Sequence, residues 1–591
     1  MNIPKWVTAI SPLADSLKTY RRDQFVGDLI AGLIVAVMLI PQAMAYAMLA
    51  GLPPQVGLYA SIVPLILYAL FGSSNSLAVG PVAMVSLLVF TGVSAIATPG
   101  SEEFIALCLT LALMVGVLQI AMAAFRLGFL VNFISHPVLV GFTSAAAIVI
   151  GFSQVKHLMG VSVDSGEQPW QQIGNTISSL GNANATTLLV GFFSCVLLLA
   201  FAYGVEPALK KFGVKEGVAS TISKVGPLIA VVAATTVVFT GKLHQSHAVT
   251  IVGEIPAGLP GITIPDLSVA AITALLPLAF VITLVGYMES ISVAKALASR
   301  KREKIDANRE LFALGVADVG AAFTGGFPVT GGFSRSMVND ASGVRTPMGS
   351  IFTAICISVS VLFLTPLFYY IPNTVLAAII IVAVAPLVDF GAPIKLWRYS
   401  RSDAIALLVT FSAVLGTGIE TGILIGVATT IVLLMWKMSR PHVAEVGRVG
   451  HTEHFRNVNR YDVRLTEGVL AFRIDESLNF ANAPFLYSYV MEQIADRPDI
   501  KSVLLISSGI NDIDATGLKV LETVHRELDA NGIGFYMSDV KGPVTDRFKL
   551  VGYEDEFLSE HIFLSADEAI RKLSESESAE SVNRQPTGVH V

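Results

Sequence analysis

The polar side chains that could do chemistry lie within stretches that are otherwise apolar, and Arg335 is the most informative of them. In the segment 327–340, FPVTGGFSRSMVND, Pro328 and the paired glycines interrupt a helix, whereas residues 333–339 favour one. The pattern predicts a half-helix that begins near Ser334, beside the fixed charge of Arg335. Unpaired N–H groups at a helix start and a nearby cation can hold an anion. The alternative is a glycine-rich kink whose arginine extends to the aqueous surface.

Gln42, Tyr46 and Glu289 are further candidates. Gln42 and Tyr46 follow a proline and, four residues apart, share one face of a helix. The amide could donate to an anion, or it could bond to a neighbouring helix at a packing kink. We interpret Glu289 as the one carboxylate deep in an apolar helix. Because burying a charged carboxylate is costly, Glu289 is expected to be protonated, paired with Arg335 or bound to an ion, and its proton could accompany an anion.

Composition indicates that these residues belong to a polytopic membrane protein. Of the 591 residues, 53% are hydrophobic and only 14% are charged, with a mean hydropathy of +0.67. Soluble domains carry about 25% charged residues. The sequence contains no phosphate-binding loop of the ATPase type, no cysteine or histidine spacing typical of a metal site, and no catalytic constellation. We therefore expect no enzyme, no cofactor, no metal and no nucleic-acid partner.

About fourteen apolar runs between residues 25 and 440 predict membrane-spanning segments. They lie near 28–49, 56–71, 77–97, 103–125, 129–153, 185–203, 225–240, 269–297, 308–324, 333–342, 346–366, 371–388, 402–416 and 419–438. Lysine and arginine concentrate in alternate loops, which predicts that both termini are cytoplasmic. Residues 1–24 are expected to form a cytoplasmic N-terminal arm.

The third run of each half is interrupted by glycine and proline, at 77–86 and at 327–340. Interrupted segments in matching positions of two halves are the best sequence indication of a transporter's central site. With an odd number of runs per half, the second half is inverted. The two half-helices would then approach the membrane midplane from opposite sides and direct their starts at one point. The alternative is two unrelated kinks.

The chain becomes soluble in character after residue 440. We predict a linker at 441–460, a small α/β domain at 461–575 with alternating strands and helices, and a disordered tail at 576–591. Within the α/β domain, Asp514 could cap a helix that begins just after it, which places Thr516 at the exposed helix start. A phosphate there would be favoured by the helix dipole. The alternative is a capped loop–helix junction without a regulatory role.

These motifs together resemble the SulP sulfate-permease family, the bacterial relatives of the solute-carrier-26 anion transporters, followed by a STAS domain. The resemblance rests on IPQAMAYA at 40–47, PPQVGLY at 53–59, FGSS at 71–74, AVGPVA at 78–83, HPVLVGFTS at 136–144, GFSRS at 332–336 and DIDATGL at 512–518. It implies an all-helical membrane domain with a seven-plus-seven inverted repeat, core and gate subdomains that move as an elevator, and a homodimer.

The resemblance also implies roles for individual residues. It implies coupling to a cation at Glu289. In STAS relatives that are phosphorylated, the serine or threonine before the glycine is the acceptor, and Thr516 holds that position here. It implies that the anion lies between the two half-helix starts, where the lining residues are Gln42, Tyr46, Val82, Ala83, Phe333, Ser334 and Arg335.

From the residues and the resemblance together, we predict a secondary active anion transporter of the bacterial inner membrane. The expected substrate is sulfate, carried with protons or sodium, and the expected surroundings are membrane lipid and a cytoplasmic partner of the STAS domain. Bicarbonate or a C4-dicarboxylate on the same scaffold is the alternative substrate. A protein that acts mainly as a STAS-based regulatory scaffold is the alternative from a different class.

Overall fold

The computed structural model describes Leu13 and residues 20–129, 135–161, 163, 169–214, 219, 222–223, 225–551 and 561–583. The chain divides into two compact units, Met1–Thr430 and Ile431–Val591. Most of the predicted arm at 1–24 lies outside the described residues, and its last residues, from Arg22, belong to the first helix.

The first unit is helical, and a two-stranded ladder lies within it. Its first half contains α1 (Arg22–Leu49), α2 (Pro54–Tyr59), α3 (Val63–Phe71), β1 (Val79–Gly80), α4 (Ala83–Ser94), α5 (Glu102–Ala124), α6 (His136–Met159), α7 (Pro169–Ser178), α8 (Ala185–Leu199), α9 (Glu206–Lys211), α10 (Gly226–Thr240) and α11 (Leu243–Ser246). Its second half contains α12 (Val269–Lys301), α13 (Ala307–Phe323), β2 (Thr330–Gly331), α14 (Phe333–Ala341), α15 (Met348–Phe363), α16 (Thr365–Phe368), α17 (Asn373–Val384), α18 (Ala392–Tyr399), α19 (Arg401–Thr417) and α20 (Ile419–Ser439).

The helical segments correspond to the fourteen predicted runs. Within the described residues, eight helical segments are long and apolar enough to cross a membrane, judged by length and composition. Shorter apolar helices such as α4, α10 and α15 fill other predicted positions. A π-helical segment, Ala200–Val205, joins α8 to α9.

The packing of the first half recurs in the second. The contact of α1 with α15 corresponds to that of α12 with α5, and the contact of α1 with α14 corresponds to that of α12 with α4. Likewise, α3 on α15 corresponds to α13 on α5, and α6 on α19 corresponds to α17 on α8. Each pair exchanges elements that hold the same place in their halves.

The helices of the first unit form two groups. In one group α1–α5 pack with α12–α15, and in the other α6, α8 and α10 pack with α17–α19. The main contacts between the groups are α1 with α10 and α17, and α4 with α6. Helix α1 thus lies at the boundary between the groups.

Gly57 fixes the broken pair α2–α3 against α1. A Cβ atom at Gly57 would lie 1.9 Å from the carbonyl oxygen of Ala43, so a larger residue would force α2 away from α1. This close approach lies beside Gln42, and it positions the segment of α1 that carries the candidate polar groups.

The second unit is a six-stranded sheet with helices on both faces. Its elements are β3 (Val443–Arg448), β4 (Phe455–Asn457), β5 (Val469–Ile474), α21 (Ala483–Asp496), β6 (Ser502–Ile506), α22 (Ala515–Ala530), β7 (Gly534–Ser538), α23 (Gly542–Leu550), β8 (Ile562–Phe563) and α24 (Ala566–Asn583). The strand order is β4-β3-β5-β6-β7-β8, with β5 to β8 parallel and β3 antiparallel to both neighbours. Helices α21, α22 and α23 share one core with the sheet, and α24 shares the other.

Two predicted boundaries of this unit need correction. The linker predicted at 441–460 contains β3 and β4, because Ala444 and Val446 alternate with polar residues and are buried in the core beneath α24. Disorder was predicted from residue 576, but α24 continues to Asn583. Asp567 and Glu568 in its first turn complement the helix dipole. Residues 584–591 lie outside the described part of the chain.

Candidate anion-binding site

The two interrupted segments meet in the structure. Strands β1 and β2 pair in antiparallel register, Val79 with Gly331 and Gly80 with Thr330. The N–H of Gly332 also donates to the carbonyl of Ala78 at 3.1 Å. Since each strand leads within a few residues into a half-helix, α4 or α14, the antiparallel pairing brings the two helix starts together from opposite directions.

Both helix starts lack a side-chain cap. The N-cap residues are Val82 for α4 and Gly332 for α14, and neither has a side-chain cap hydrogen bond. The first N–H groups of a helix have no partner within the helix, and together with the dipole they favour a negative charge. The geometry therefore presents two converging sets of backbone donors at one place.

Arg335 lies between the two halves and is buried. Its side chain is 2% exposed, which rules out an extension to the aqueous surface. Nη1 donates to the carbonyl of Pro81 in the first half, whereas Nε and Nη2 have no hydrogen-bond partner among the described residues. Gly332 permits this placement, because a Cβ atom there would lie 2.9 Å from Nη2. A buried guanidinium with unused donors is an electrostatic site for an anion.

A set of hydrogen bonds fixes α14 to the segment of the first half that contains and precedes β1. Ser336 Oγ accepts from the N–H of Ala78 at 2.9 Å and donates to the carbonyl of Gly332 at 2.7 Å. Asn339 Nδ2 donates to the carbonyl of Ser76 at 3.1 Å. At the far end, Lys301 on α12 forms an ion pair with Asp340 at 2.6 Å and donates to the hydroxyl of Ser76 at 2.9 Å. The helix that carries Arg335 is held on several sides.

Helix α12 positions β2 and carries Glu289 beside it. Ser290 Oγ accepts from the N–H of Gly331 at 2.8 Å, and Thr330 Oγ1 donates to the carbonyl of Gly286 at 2.6 Å. Oε2 of the neighbouring Glu289 is buried without a partner. Glu289 and Arg335, which both belong to the described part of the chain, interact electrostatically but form no hydrogen bond or ion pair.

Tyr46 and Gln42 approach the same region from α1. They are 7% and 5% exposed, and α1 packs against both α4 and α14. Tyr46 interacts electrostatically with Arg335 and Glu289. The Gln42 amide forms no hydrogen bond with any residue that the structure describes, so the interhelical hydrogen bond considered for it is absent from that part of the chain.

The predicted lining residues do not all face the same way. Val82 and Ala83 are buried, at 4% and 8% exposure. Phe333 is 56% exposed and Ser334 is also exposed, so both face the accessible side of α14 while Arg335 faces inward. Phe333 and Ser334 therefore contribute to the buried side mainly through their backbone at the helix start.

Buried carboxylates other than Glu289 were missed in the sequence. Asp28, Glu310 and Asp318 are each 0% exposed, so Glu289 is not the only one within the helices. Glu310 accepts from the Tyr68 hydroxyl at 2.8 Å, and Asp318 accepts from the N–H of Val329 at 2.7 Å. All three occur inside or at the edge of predicted apolar runs, and that position was the available signal.

These carboxylates brace loops next to the site. Asp28 accepts from the N–H groups of Arg345 and Thr346, at 2.7 and 3.1 Å, in the loop that follows α14. Glu310 accepts from the N–H groups of Ser73 and Ser74, at 2.7 and 3.1 Å, in the loop that precedes β1. Asp28 and Glu310 thus each join one half of the unit to the other.

In the second unit, the predicted cap is present. Asp514 accepts from the N–H of Gly517 at 2.8 Å and from the N–H of Phe480 at 2.7 Å. Thr516 is exposed in the first turn of α22. Its hydroxyl is thus accessible, and phosphorylation there stays a prediction.

Comparison with known proteins identifies the family. A model of the sulfate permease family matches residues 25–410, and a model of the STAS domain matches residues 460–569. The chain belongs to the sulfate permease family. The permease match begins within α1 and ends within α19, and the STAS match contains β5 to β8.

Relatives in this family align over nearly the whole chain. Sulfate transporter 4.1, chloroplastic, of Arabidopsis thaliana is 37% identical over 579 residues, 95% of this chain and 83% of the relative. Low affinity sulfate transporter 3 of Stylosanthes hamata is 30% identical over 589 residues, 96% of this chain and 90% of the relative.

Solved structures of anion transporters have a similar fold. The murine Solute Carrier 26 family member A9 anion transporter, in its inward-facing state, has a TM-score of 0.87 at 23% identity and covers 97% of this chain and 96% of its own. The transmembrane domain of the cyanobacterial bicarbonate transporter BicA has a TM-score of 0.57 at 22% identity, over 70% of this chain and 98% of its own. The all-helical membrane unit with an appended STAS domain, predicted from the sequence, is confirmed.

Proposed function

We propose that this protein is a secondary active transporter of a small inorganic anion, sulfate. The observation that carries the proposal is the pairing of β1 with β2, which joins two uncapped helix starts beside the unused donors of Arg335. The names of the relatives, which are sulfate transporters, favour sulfate.

Binding in this proposal is electrostatic and involves no covalent step. The N–H groups that begin α4 and α14 supply dipoles, and Arg335 supplies a full charge through Nε and Nη2. The Gln42 amide and the Tyr46 hydroxyl add neutral donors from α1. The hydrogen bonds that hold α14 and β2 preorganise the helix start beside Arg335, so the anion replaces water without rearranging the backbone.

Glu289 is the proposed coupling group. It lies on α12 within electrostatic range of Arg335 but is not bonded to it. A proton or sodium ion that neutralises Glu289 would leave the charge of Arg335 available to the anion. Binding of the cation and binding of the anion would then favour each other, which is the reciprocity that coupled transport requires.

The two packed groups of helices are the proposed moving parts. The group α1–α5 with α12–α15 carries the whole candidate site, and the other group meets it mainly along α1 and α4. We propose that the first group moves against the second in an elevator-type cycle. The packing relations that recur between the halves support an inverted repeat. A homodimer in a bacterial inner membrane, with both termini cytoplasmic, completes the proposal.

Uptake by purified protein in proteoliposomes tests this function. Vesicles with an imposed pH or sodium gradient are supplied with labelled sulfate, bicarbonate or succinate, and the Arg335→Ala variant serves as the inactive control. Accumulation of sulfate above the external concentration, lost in Arg335→Ala, is expected. Accumulation of bicarbonate or succinate but not sulfate would assign the alternative substrate.

The scaffold alternative is tested by removing the second unit. Because β3 belongs to its sheet, the deletion must begin at residue 441 rather than within that strand. Uptake that persists in the shortened chain and disappears in Arg335→Ala would exclude a purely scaffolding role. Regulation through Thr516, or through a cytoplasmic partner of the STAS domain, would instead change the rate of uptake.

A further inference from the structure

A polar cavity lies in the group of helices that does not contain Arg335. It has a volume of about 210 Å³ and is formed where α6 ends and where α8 and α17 begin. A single water needs only about 10–15 Å³ of such accessible volume, so the cavity can hold an oxyanion together with several waters. The polar side chains that line it include those of Lys156, His157, Thr187, Asn373 and Thr374.

The charge of this cavity is positive. Lys156 and His157, from the last turn of α6, contribute a cation and an imidazole. Neither forms an ion pair with a carboxylate in the part of the chain that the structure describes, and both are partly buried. A lysine near a helix C-terminus is favoured by the dipole, but the dipole does not neutralise it. A partly desolvated ammonium without a counter-ion attracts an anion.

Polar groups without partners complete the cavity. Thr187 is 2% exposed, and its hydroxyl, which can donate, has no hydrogen-bond partner in the described part of the chain. Oδ1 of Asn373 is also buried without a partner among the residues that the structure describes, but as an acceptor it contributes no donor to an anion. In the first turn of α17 the N–H groups of Asn373 and Val375 donate to the carbonyls of Thr250 and Pro372, at 3.0 and 3.1 Å, so the N–H of Thr374 is the backbone donor that this turn adds. Buried polar atoms are normally paired, so an unpaired hydroxyl in a cationic cavity indicates a missing acceptor.

The position of the cavity relates it to the proposed transport. Helix α17, which forms one wall, packs against α1, and α1 carries Gln42 and Tyr46. The cavity is thus built on the group of helices that faces the candidate site, without sharing a residue with it.

We propose that this cavity is a second binding site for a small oxyanion of the class that the central site carries. The inference rests on the proposed function for the identity of the anion. Lys156 provides the charge, the Thr187 hydroxyl and the first turn of α17 provide neutral donors, and His157 adds a ring N–H. An anion held here is bound in the group formed by α6, α8, α10 and α17–α19, close to its boundary with the group that is proposed to move.

Equilibrium binding of labelled sulfate to the full-length protein in nanodiscs tests the proposal. The variants are Arg335→Ala, Lys156→Gln, both together, and Lys242→Gln. Lys242 is an exposed lysine just after α10 and does not line the cavity, so it controls for the loss of one charge. Lys156→Arg keeps the charge and shows whether any substitution at this position disturbs binding. Thermal unfolding of each variant shows whether it is folded.

In the Arg335→Ala background a weaker class of sulfate site is expected to remain. Adding Lys156→Gln should weaken that class by at least about tenfold, the loss expected when a charge-assisted hydrogen bond is removed. Lys242→Gln and Lys156→Arg should leave it in place. Unlabelled sulfate or phosphate should displace the label, whereas sodium chloride at the same ionic strength should displace much less.

The proposal is overturned if Lys156→Gln leaves the weak class unchanged, if Lys242→Gln weakens it equally, or if chloride displaces the label as well as sulfate. Failure of the central function has a different signature. In that case Arg335→Ala would bind sulfate as tightly as the unsubstituted protein, whatever happens at Lys156.

Discussion

Gly332→Ala is expected to weaken anion binding without unfolding the protein. Gly332 has φ −87° and ψ 129°, a conformation that alanine adopts without strain. A Cβ atom at this position would lie 2.9 Å from Nη2 and 3.1 Å from Cζ of Arg335. Because the obstructed atoms are the end of a flexible side chain, the guanidinium must move while the backbone can stay.

The displaced guanidinium would lose its hydrogen bond to the carbonyl of Pro81 and would redirect its two unpaired donors. A hydrogen bond to a charged group contributes about 1.5–3 kcal/mol. Since about 1.4 kcal/mol corresponds to a tenfold change, the dissociation constant for sulfate should rise by at least about tenfold. The loss of the bond to Pro81 should also lower the free energy of unfolding by about 1.5–3 kcal/mol, which leaves the protein folded because no buried apolar contact is removed.

Binding of labelled sulfate measured by equilibrium dialysis, together with thermal unfolding, checks this prediction. Gly151→Ala is the matched control, because a Cβ atom there would meet no atom within 4 Å. Equal sulfate affinity for Gly332→Ala and the unsubstituted protein would refute the placement of Arg335. An equal loss in Gly151→Ala would show that the effect is not specific to the site.

Three further substitutions probe the coupling group, a brace and the helix cap. Glu289→Gln should bind sulfate but fail to accumulate it against a gradient in proteoliposomes; accumulation equal to that of the unsubstituted protein would exclude the coupling role. In Glu310 one carboxylate oxygen accepts from Tyr68 and the other from Ser73, and Glu310→Gln leaves only one of the two positions as an acceptor, so it should lower the free energy of unfolding by about 1–3 kcal/mol; an unchanged melting temperature would contradict this. Asp514→Ala should destabilise the second unit by about 0.5–2 kcal/mol in denaturant unfolding, and Lys519→Ala, in the same helix but exposed, should not.

The broken segments were predictable because glycine and proline act locally. Pro81 and the glycines before Phe333 interrupt a helix in any context, so the half-helix starts followed from residue type alone. The pairing of β1 with β2 joins residues about 250 positions apart, and a ladder of two residues leaves no periodic pattern. The meeting of the two starts could be inferred from the order of the runs but not from the residues in the strands.

Other features depended on tertiary contacts that a local pattern does not reveal. The inward direction of Arg335 requires the missing side chain of Gly332 and the carbonyl of Pro81, which lie in different halves. The burial of Glu310 and Asp318 is not apparent from the sequence, because a single carboxylate barely changes the apolar character of a run. The sequence predicts a linker where β3 lies, because the strand is short and its polar residues obscure the burial of Ala444 and Val446 on one face.

The central claim is that the starts of α4 and α14 jointly hold the anion. The most direct measurement is a structure of the full-length protein with selenate, a heavier tetrahedral oxyanion whose anomalous signal locates it. The account predicts the strongest peak between Ala83 and Phe333, within hydrogen-bond reach of the unpaired donors of Arg335. A structure in which the region between the two helix starts holds no selenate under saturating conditions would contradict it.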